Sequence, residues 1–182
     1  MSKFDKIRPF YDAEVNDAIR ASINHPMMKA LVDFAYPNTE ESVWKEQLLR
    51  THSIRDFQIN FAYHAIKKIL EKSSDGLTTS GFEKLEPNTA YFFISNHRDI
   101  TLDSALLNLK LHQNGFQTTN NAVGNNLMTE SWASDLMRLN KSFIIDRSDK
   151  SKKEIYKSLN LASEFICNSI LSKNESVWIS QK

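Results

Sequence analysis

Between Ala90 and Ser180, short apolar runs alternate with segments of helical periodicity, and no other feature of the chain constrains its fold as tightly. AYFFIS (90–95), SFIID (142–146) and SVWIS (176–180) have the length and near-continuous hydrophobicity of strands covered on both faces. TNNAVG (119–124) is a weaker run of the same kind. Between these runs, LDSALLNLKLHQ (102–113), MTESWASDLMRLN (128–140) and the long stretch 148–173 place apolar residues at helical spacing. Strands alternating with helices predict an α/β fold with a mainly parallel sheet, because parallel neighbours need a crossover connection. With four glycines and four prolines in 182 residues, the chain has too few turn formers for a sandwich or barrel of many short strands.

The first third of the chain reads differently. Residues 8–24, 25–37, 38–50 and 53–73 each carry an apolar face at helical spacing, so four helices precede the first strand. Pro26 suits a first helical turn, and Asn38 or Thr39 is the expected N-cap of the third helix. Ser, Asp, Gly and Pro collect in SSDGLTTSGFEKLEPNTA (73–90), which divides an N-terminal helical region, 1–75, from an α/β region, 76–182. A net charge of +1 offers no field to steer nucleic acid, and none is expected as a partner. The single cysteine, Cys167, excludes a disulfide framework and points to a reducing compartment such as the cytoplasm. No run approaches the ~18 apolar residues of a membrane span. His25, His52 and His64 lack the helical spacing of metal ligands, and their expected role is structural.

Chemistry concentrates in YFFISNHRDITLD (91–103), where an apolar strand runs into His97, Arg98, Asp99 and Asp103. Active residues of parallel sheets gather at the carboxyl ends of strands. An imidazole there can accept a proton at neutral pH, and a carboxylate on its far nitrogen would hold its tautomer. The chain has no G-x-S-x-G elbow, and Cys167 is misplaced for a nucleophile, so an attacking hydroxyl belongs to the substrate. Two other readings fit the same residues. His97, Asp99 and Asp103 are types that bind divalent ions, although a further ligand is not marked by position. Asp103 or Ser104 could also serve only as the N-cap of the following helix.

GFEKLEPNTAYFFISNHRDITLDSALL (81–107) resembles the first block of the glycerolipid acyltransferases, the glycerol-3-phosphate and lysophosphatidate acyltransferase family. NKSFIIDR (140–147) is similar to that family's second block, a strand ending in an arginine that binds the acceptor's phosphate, and AVGNNLM and DLMRLN resemble the segment between the blocks. The resemblance covers about residues 77–182; the preceding helices are similar to an N-terminal extension of some glycerol-3-phosphate acyltransferases. It implies an enzyme of phospholipid biosynthesis that moves a fatty acyl group to a hydroxyl of glycerol 3-phosphate or a lysophospholipid. The donor is acyl-CoA or acyl carrier protein, and no metal or other cofactor is required. His97 is then the general base and Asp103 its carboxylate, with Asp99 the alternative. Arg147 would hold the phosphate, assisted by Arg98 and by Lys150, Lys152 and Lys153 at a helix N-terminus.

A lysophospholipid acceptor resides in a bilayer, so peripheral contact with the inner membrane face is expected. Met27, Met28, Leu31, Phe34 and Tyr36 are candidates for that patch, although core packing is their commoner use. The chain departs from the family twice. Five residues separate His97 from Asp103 where the family has four. The family's third block, Glu-Gly followed by Arg, would come after SVWIS, where this chain stops. A final strand with nothing after it is expected to leave a sheet edge exposed, and the chain is expected to be the N-terminal part of a longer protein. The alternative to an active enzyme is an inactive fragment, or a module that binds lipid or acyl carrier.

Overall fold

The computed structural model describes residues 2–99, 101–146 and 151–181. In chain order its main elements are α1 (Asp12–Ser22), α2 (Pro26–Ala35), α3 (Glu41–Leu49), α4 (Ile54–Phe57) and α5 (Tyr63–Ser73), then β1 (Phe92–Asn96), α6 (Leu102–Gln113), β2 (Asn120–Gly124), α7 (Ser131–Leu139), β3 (Ser142–Ile145), α8 (Lys152–Cys167) and β4 (Val177–Gln181). This is an α/β protein with a four-stranded, all-parallel sheet and N-terminal helices. It divides into two compact units. One comprises Met1–Pro9, Thr79–Thr129 and Lys141–Lys182; the other comprises Phe10–Thr78 and Glu130–Asn140. Two segments therefore cross a linear division near residue 75: the first nine residues fold with the sheet, and α7 folds with the N-terminal helices.

The helical unit is organised by one apolar cluster, which includes Val15, Ile19, Met28, Val32, Trp44 and Phe57. Leu139 of α7, fully buried, belongs to the same cluster, and the Arg138 guanidinium lies over the Phe10 ring. Pro26 opens α2, and the His25 ring accepts from the Met27 amide as its cap. The expected cap of α3 is displaced: Glu40 takes that position, because Asn38 turns the chain with a left-handed φ of 75° and Thr39 closes the turn onto Tyr36. The stretch 53–73, expected as one helix, is interrupted by a π-turn at Gln58–Ala62. The patch considered for membrane contact points mostly inward. Met28 is fully buried, Leu31 and Tyr36 pack against the cluster, and Met27 alone among the exposed large hydrophobics comes from this set.

In the sheet unit the strand order is β1-β4-β2-β3. The final strand is interior: β4 pairs with β1 from Phe92↔Val177 to Asn96↔Gln181, and with β2 at Asn120↔Val177 and Asn121↔Trp178. The edge expected at β4 falls instead on β1 and β3, since crossover connections let a last strand insert between earlier ones. β3 has its own cover. The Ile144 amide donates to the Ile7 carbonyl, and Phe4 packs edge-on against Phe165 of α8 at 5.5 Å, so the N-terminal segment occupies that side.

Alternation along the strands assigns the two faces. The rings of Phe143 and Phe165 meet at a tilt with centroids 4.8 Å apart, which places α8 on one face. Asn121, one residue from the Ala122↔Phe143 pair, bonds to Asn108 of α6, which places α6 on the other. That second contact is polar and fully internal. Asn108 donates to Asn121 Oδ1 (3.0 Å) and to the Ser104 carbonyl (2.9 Å), and accepts from the Thr119 amide (2.7 Å). All three side chains of this Asn108, Thr119 and Asn121 network are at most 3% exposed, so α6 is fixed to β2 by groups that are costly to leave unpaired.

Candidate active site

All four strands are parallel, so their carboxyl ends open on one rim of the sheet. His97 follows β1 there. Its amide donates to the Gln181 carbonyl at 2.9 Å, carrying the β1–β4 ladder one residue past the strand, and Trp178 Nε1 donates to Ser95 Oγ at 3.1 Å. The backbone that presents His97 is thereby held by β4.

The turn from β1 into α6 resolves which carboxylate meets the histidine. Asp103 Oδ2 accepts from His97 Nδ1 (3.1 Å), the Arg98 amide (2.9 Å) and the Asp99 amide (3.0 Å). Asp99 faces the other way along the chain: its Oδ1 accepts from the amides of Thr101 (2.8 Å) and Leu102 (2.7 Å). Asp99 thus performs the capping that was expected of Asp103 or Ser104. The helix starts at Leu102, with Thr101 at the N-cap position making no side-chain cap bond, and Asp103 lies inside the first turn. A carboxylate there also faces the positive end of the helix dipole.

Burial raises the proton affinity of Asp103, but the amides of Asp99 and Arg98 and the His97 ring outweigh it and leave the carboxyl below its ordinary value. An ionised carboxylate only accepts, so His97 Nδ1 must be the donor and the proton sits on that nitrogen. In the neutral ring Nε2 then carries the lone pair, and the ring, whose side chain is 29% exposed, is open to a ligand. Such an imidazole can take a proton from a hydroxyl within hydrogen-bond reach, and the charge formed on the ring lies against Asp103.

The rest of the rim is less complete. Arg147 and Lys150 lie outside the described residues. After β2, the Asn125 side chain donates to Asp146 Oδ1 after β3 at 2.7 Å, joining two strand ends, a link for which the sequence carried no signal. At the start of α8, Ser151 caps the Glu154 amide and Glu154 accepts from the Ser151 amide, so the end that Lys152 and Lys153 adjoin already holds a carboxylate of its own. The order β1-β4-β2-β3 sets the ends of β1 and β3 three strand spacings apart, about 14 Å. Among the described residues no three His, Cys, Asp or Glu side chains converge as metal ligands. Asp99, one of the residues considered for that role, is occupied by backbone amides.

The family model for acyltransferases matches residues 76–179, more than half of the chain. The chain belongs to the acyltransferase family. No match is found among curated proteins. In this acyltransferase the matched region contains the whole turn that carries His97 and Asp103, while α1 to α5 lie before it. Among the described residues no helix is long and apolar enough to cross a membrane.

Proposed function

We propose that this acyltransferase moves a fatty acyl group from a thioester donor, acyl-CoA or acyl carrier protein, to a hydroxyl of glycerol 3-phosphate or a lysophospholipid, with His97 as general base and Asp103 as its orienting carboxylate. The observation that carries this reading is the 3.1 Å contact between His97 Nδ1 and Asp103 Oδ2 at the carboxyl rim of a parallel sheet. In the reaction, His97 Nε2 takes the hydroxyl proton as the oxygen bonds to the thioester carbonyl carbon. The tetrahedral intermediate collapses with cleavage of the C–S bond, and the imidazolium returns the proton to the departing thiolate. Asp103 stabilises the imidazolium between the two steps.

Arg147, just after β3, supplies a bidentate partner for the acceptor's phosphate, with Arg98 and Lys150 as further cations. The ends of β1 and β3 are about 14 Å apart across the rim. An acceptor held in a bilayer brings the enzyme to a membrane surface. The outer side of α8 suits that contact better than α2: Ile155, Tyr156 and Leu159 are exposed there among the exposed Lys152, Lys153 and Lys157. Transfer of a radiolabelled acyl group from each donor to each acceptor tests the reaction. Wild-type turnover that His97→Ala leaves unchanged would refute the assignment of the base.

A further inference from the structure

His97 and Asp103 meet from different elements, the end of β1 and the first turn of α6, so their separation depends on how α6 sits on the sheet as well as on the turn between them. Each is tied to the sheet interior by a side chain. On the α6 side, Asn108 Nδ2 donates to the carbonyl of Ser104, the neighbour of Asp103 in the chain, at 2.9 Å, and to Asn121 Oδ1 of β2 at 3.0 Å. On the β1 side, the Trp178 indole of β4 donates at 3.1 Å to the hydroxyl of Ser95, two residues before His97. Asn121 and Trp178 are register partners in the β2–β4 ladder. Register partners share a face of the sheet, so both side chains lie beneath α6. Both are nearly sealed, Asn121 at 1% and Trp178 at 4% exposed. One adjacent pair thus supports both halves of the dyad.

Stability alone does not account for this arrangement. A buried hydrogen bond adds little net stability, and replacing both partners by apolar groups of the same shape is nearly neutral. What it adds is direction. Apolar burial is non-directional, whereas a hydrogen bond weakens steeply as its length and angle leave their ideal values. Ala105 and Leu109, which flank Asn108 on the buried side of α6, set no such direction. Catalytic groups need to be held within about 0.5 Å of their productive geometry, and a misplacement of about 1 Å can cost about 10²-fold in rate.

We infer that Asn121 and Trp178 are positioning residues for the dyad, Asn121 acting through Asn108 on Asp103 and Trp178 acting through Ser95 on His97. The inference rests on the reading of His97 as the general base. Asn121→Leu and Trp178→Phe each cut one link with little change of shape. The groups left behind keep other partners: Asn108 Nδ2 retains the Ser104 carbonyl, and Ser95 Oγ retains the Asn96 carbonyl at 3.2 Å. Phe165→Leu, in the core on the opposite face of the sheet, controls for lost stability.

Steady-state acyl transfer should show kcat lowered about tenfold in both positioning variants with KM unchanged, the mark of an interaction used only in the transition state. The 15N NMR spectrum of the His97 ring, taken at alkaline pH where the imidazole is neutral, reads which nitrogen carries the proton. It should show Nδ1–H alone in the wild type and a mixture with Nε2–H in both variants. Phe165→Leu should lower the unfolding temperature while kcat and tautomer stay as they are. An unchanged tautomer in either variant, or the same tautomer change in Phe165→Leu, overturns the proposal. Either positioning variant decides the matter if the other does not fold. Unchanged turnover in His97→Ala would strike the reading of the base instead, and the ring spectra, which need no substrate, would still test the support beneath it.

Discussion

At the head of α6 a single carboxylate oxygen accepts from one imidazole and two backbone amides, whereas in the helical unit the Trp44 indole, equally close to a core, donates to no described acceptor. The two regions treat buried polarity in opposite ways. Around β1, β2 and α6 the described polar groups are matched within the unit: Asp103 by three donors, Asp99 by two, and Asn108 by Thr119, Asn121 and Ser104. Saturation of this kind fixes atoms to within a few tenths of an ångström, which a proton transfer requires. An unmet donor sealed inside a core costs stability instead and fixes nothing in place. The difference is local and not one of whole units: in the sheet unit Ser169 Oγ is also buried without a partner among the described residues.

This contrast can be broken or sharpened at several points. The largest expected effect is on His97: His97→Ala should lower kcat by about 10²- to 10⁴-fold, the range for a lost general base, with little change in thermal unfolding. Asp103→Asn comes next. It removes the charge behind the imidazole, and roughly ten- to a hundredfold of kcat should go with it. Asp99→Asn, tested beside it, should cost far less activity, since Asn still caps helices. Equal losses in steady-state kinetics for the two variants would put the choice of carboxylate in error.

Stability is the measure for the interior. Asn108→Ala strips the Thr119 amide of its acceptor in a fully buried position, and chemical denaturation should show a loss of about 1–3 kcal/mol. Acid should act through Asp103. Its carboxyl titrates below the ordinary value of 3.8, so its contribution is complete above that value and is lost as the pH falls through the folded-state pKa. The stability gap between wild type and Asp103→Asn should therefore be constant from pH 7 to 5 and shrink below about 3.8, as unfolding curves across that range would record. The smallest effect concerns the outer side of α8. Leu159→Glu should weaken co-sedimentation with anionic vesicles by about tenfold while leaving turnover of a soluble acceptor intact.

Much of this molecule is legible in its residues. The helix after β1 is read in place, although it starts at Leu102, ahead of the expected cap at Asp103 or Ser104. The four strands fall within a residue or two of their runs, but β1, expected to be covered on both faces, leaves Phe92 and Ile94 exposed on one. His97 at a strand end is equally plain. Less legible are the places where local pattern and tertiary demand diverge. Asn108 sits in LLNLKL like a surface residue in an apolar stripe, yet it is 3% exposed and serves as the hub of a polar network. The π-turn after Phe57 leaves the apolar periodicity of 53–73 nearly intact, so a continuous helix is the natural expectation. MTESWASDLMRLN reads correctly as a helix, but its periodicity does not reveal which core receives Leu139.

The sequence by itself determined the α/β class, the helical start, the positions of the strands and the placing of a histidine and two carboxylates at one strand end. It did so because side-chain periodicity and turn chemistry are local. Only the tertiary structure decided that the last strand lies inside the sheet, that the first nine residues cover β3, and that Asp103 meets His97 while Asp99 caps the helix. Strand neighbours are chosen by contacts between residues far apart in the chain. The choice between two aspartates four residues apart depends on how one turn directs its amides, and neither is written in the spacing alone.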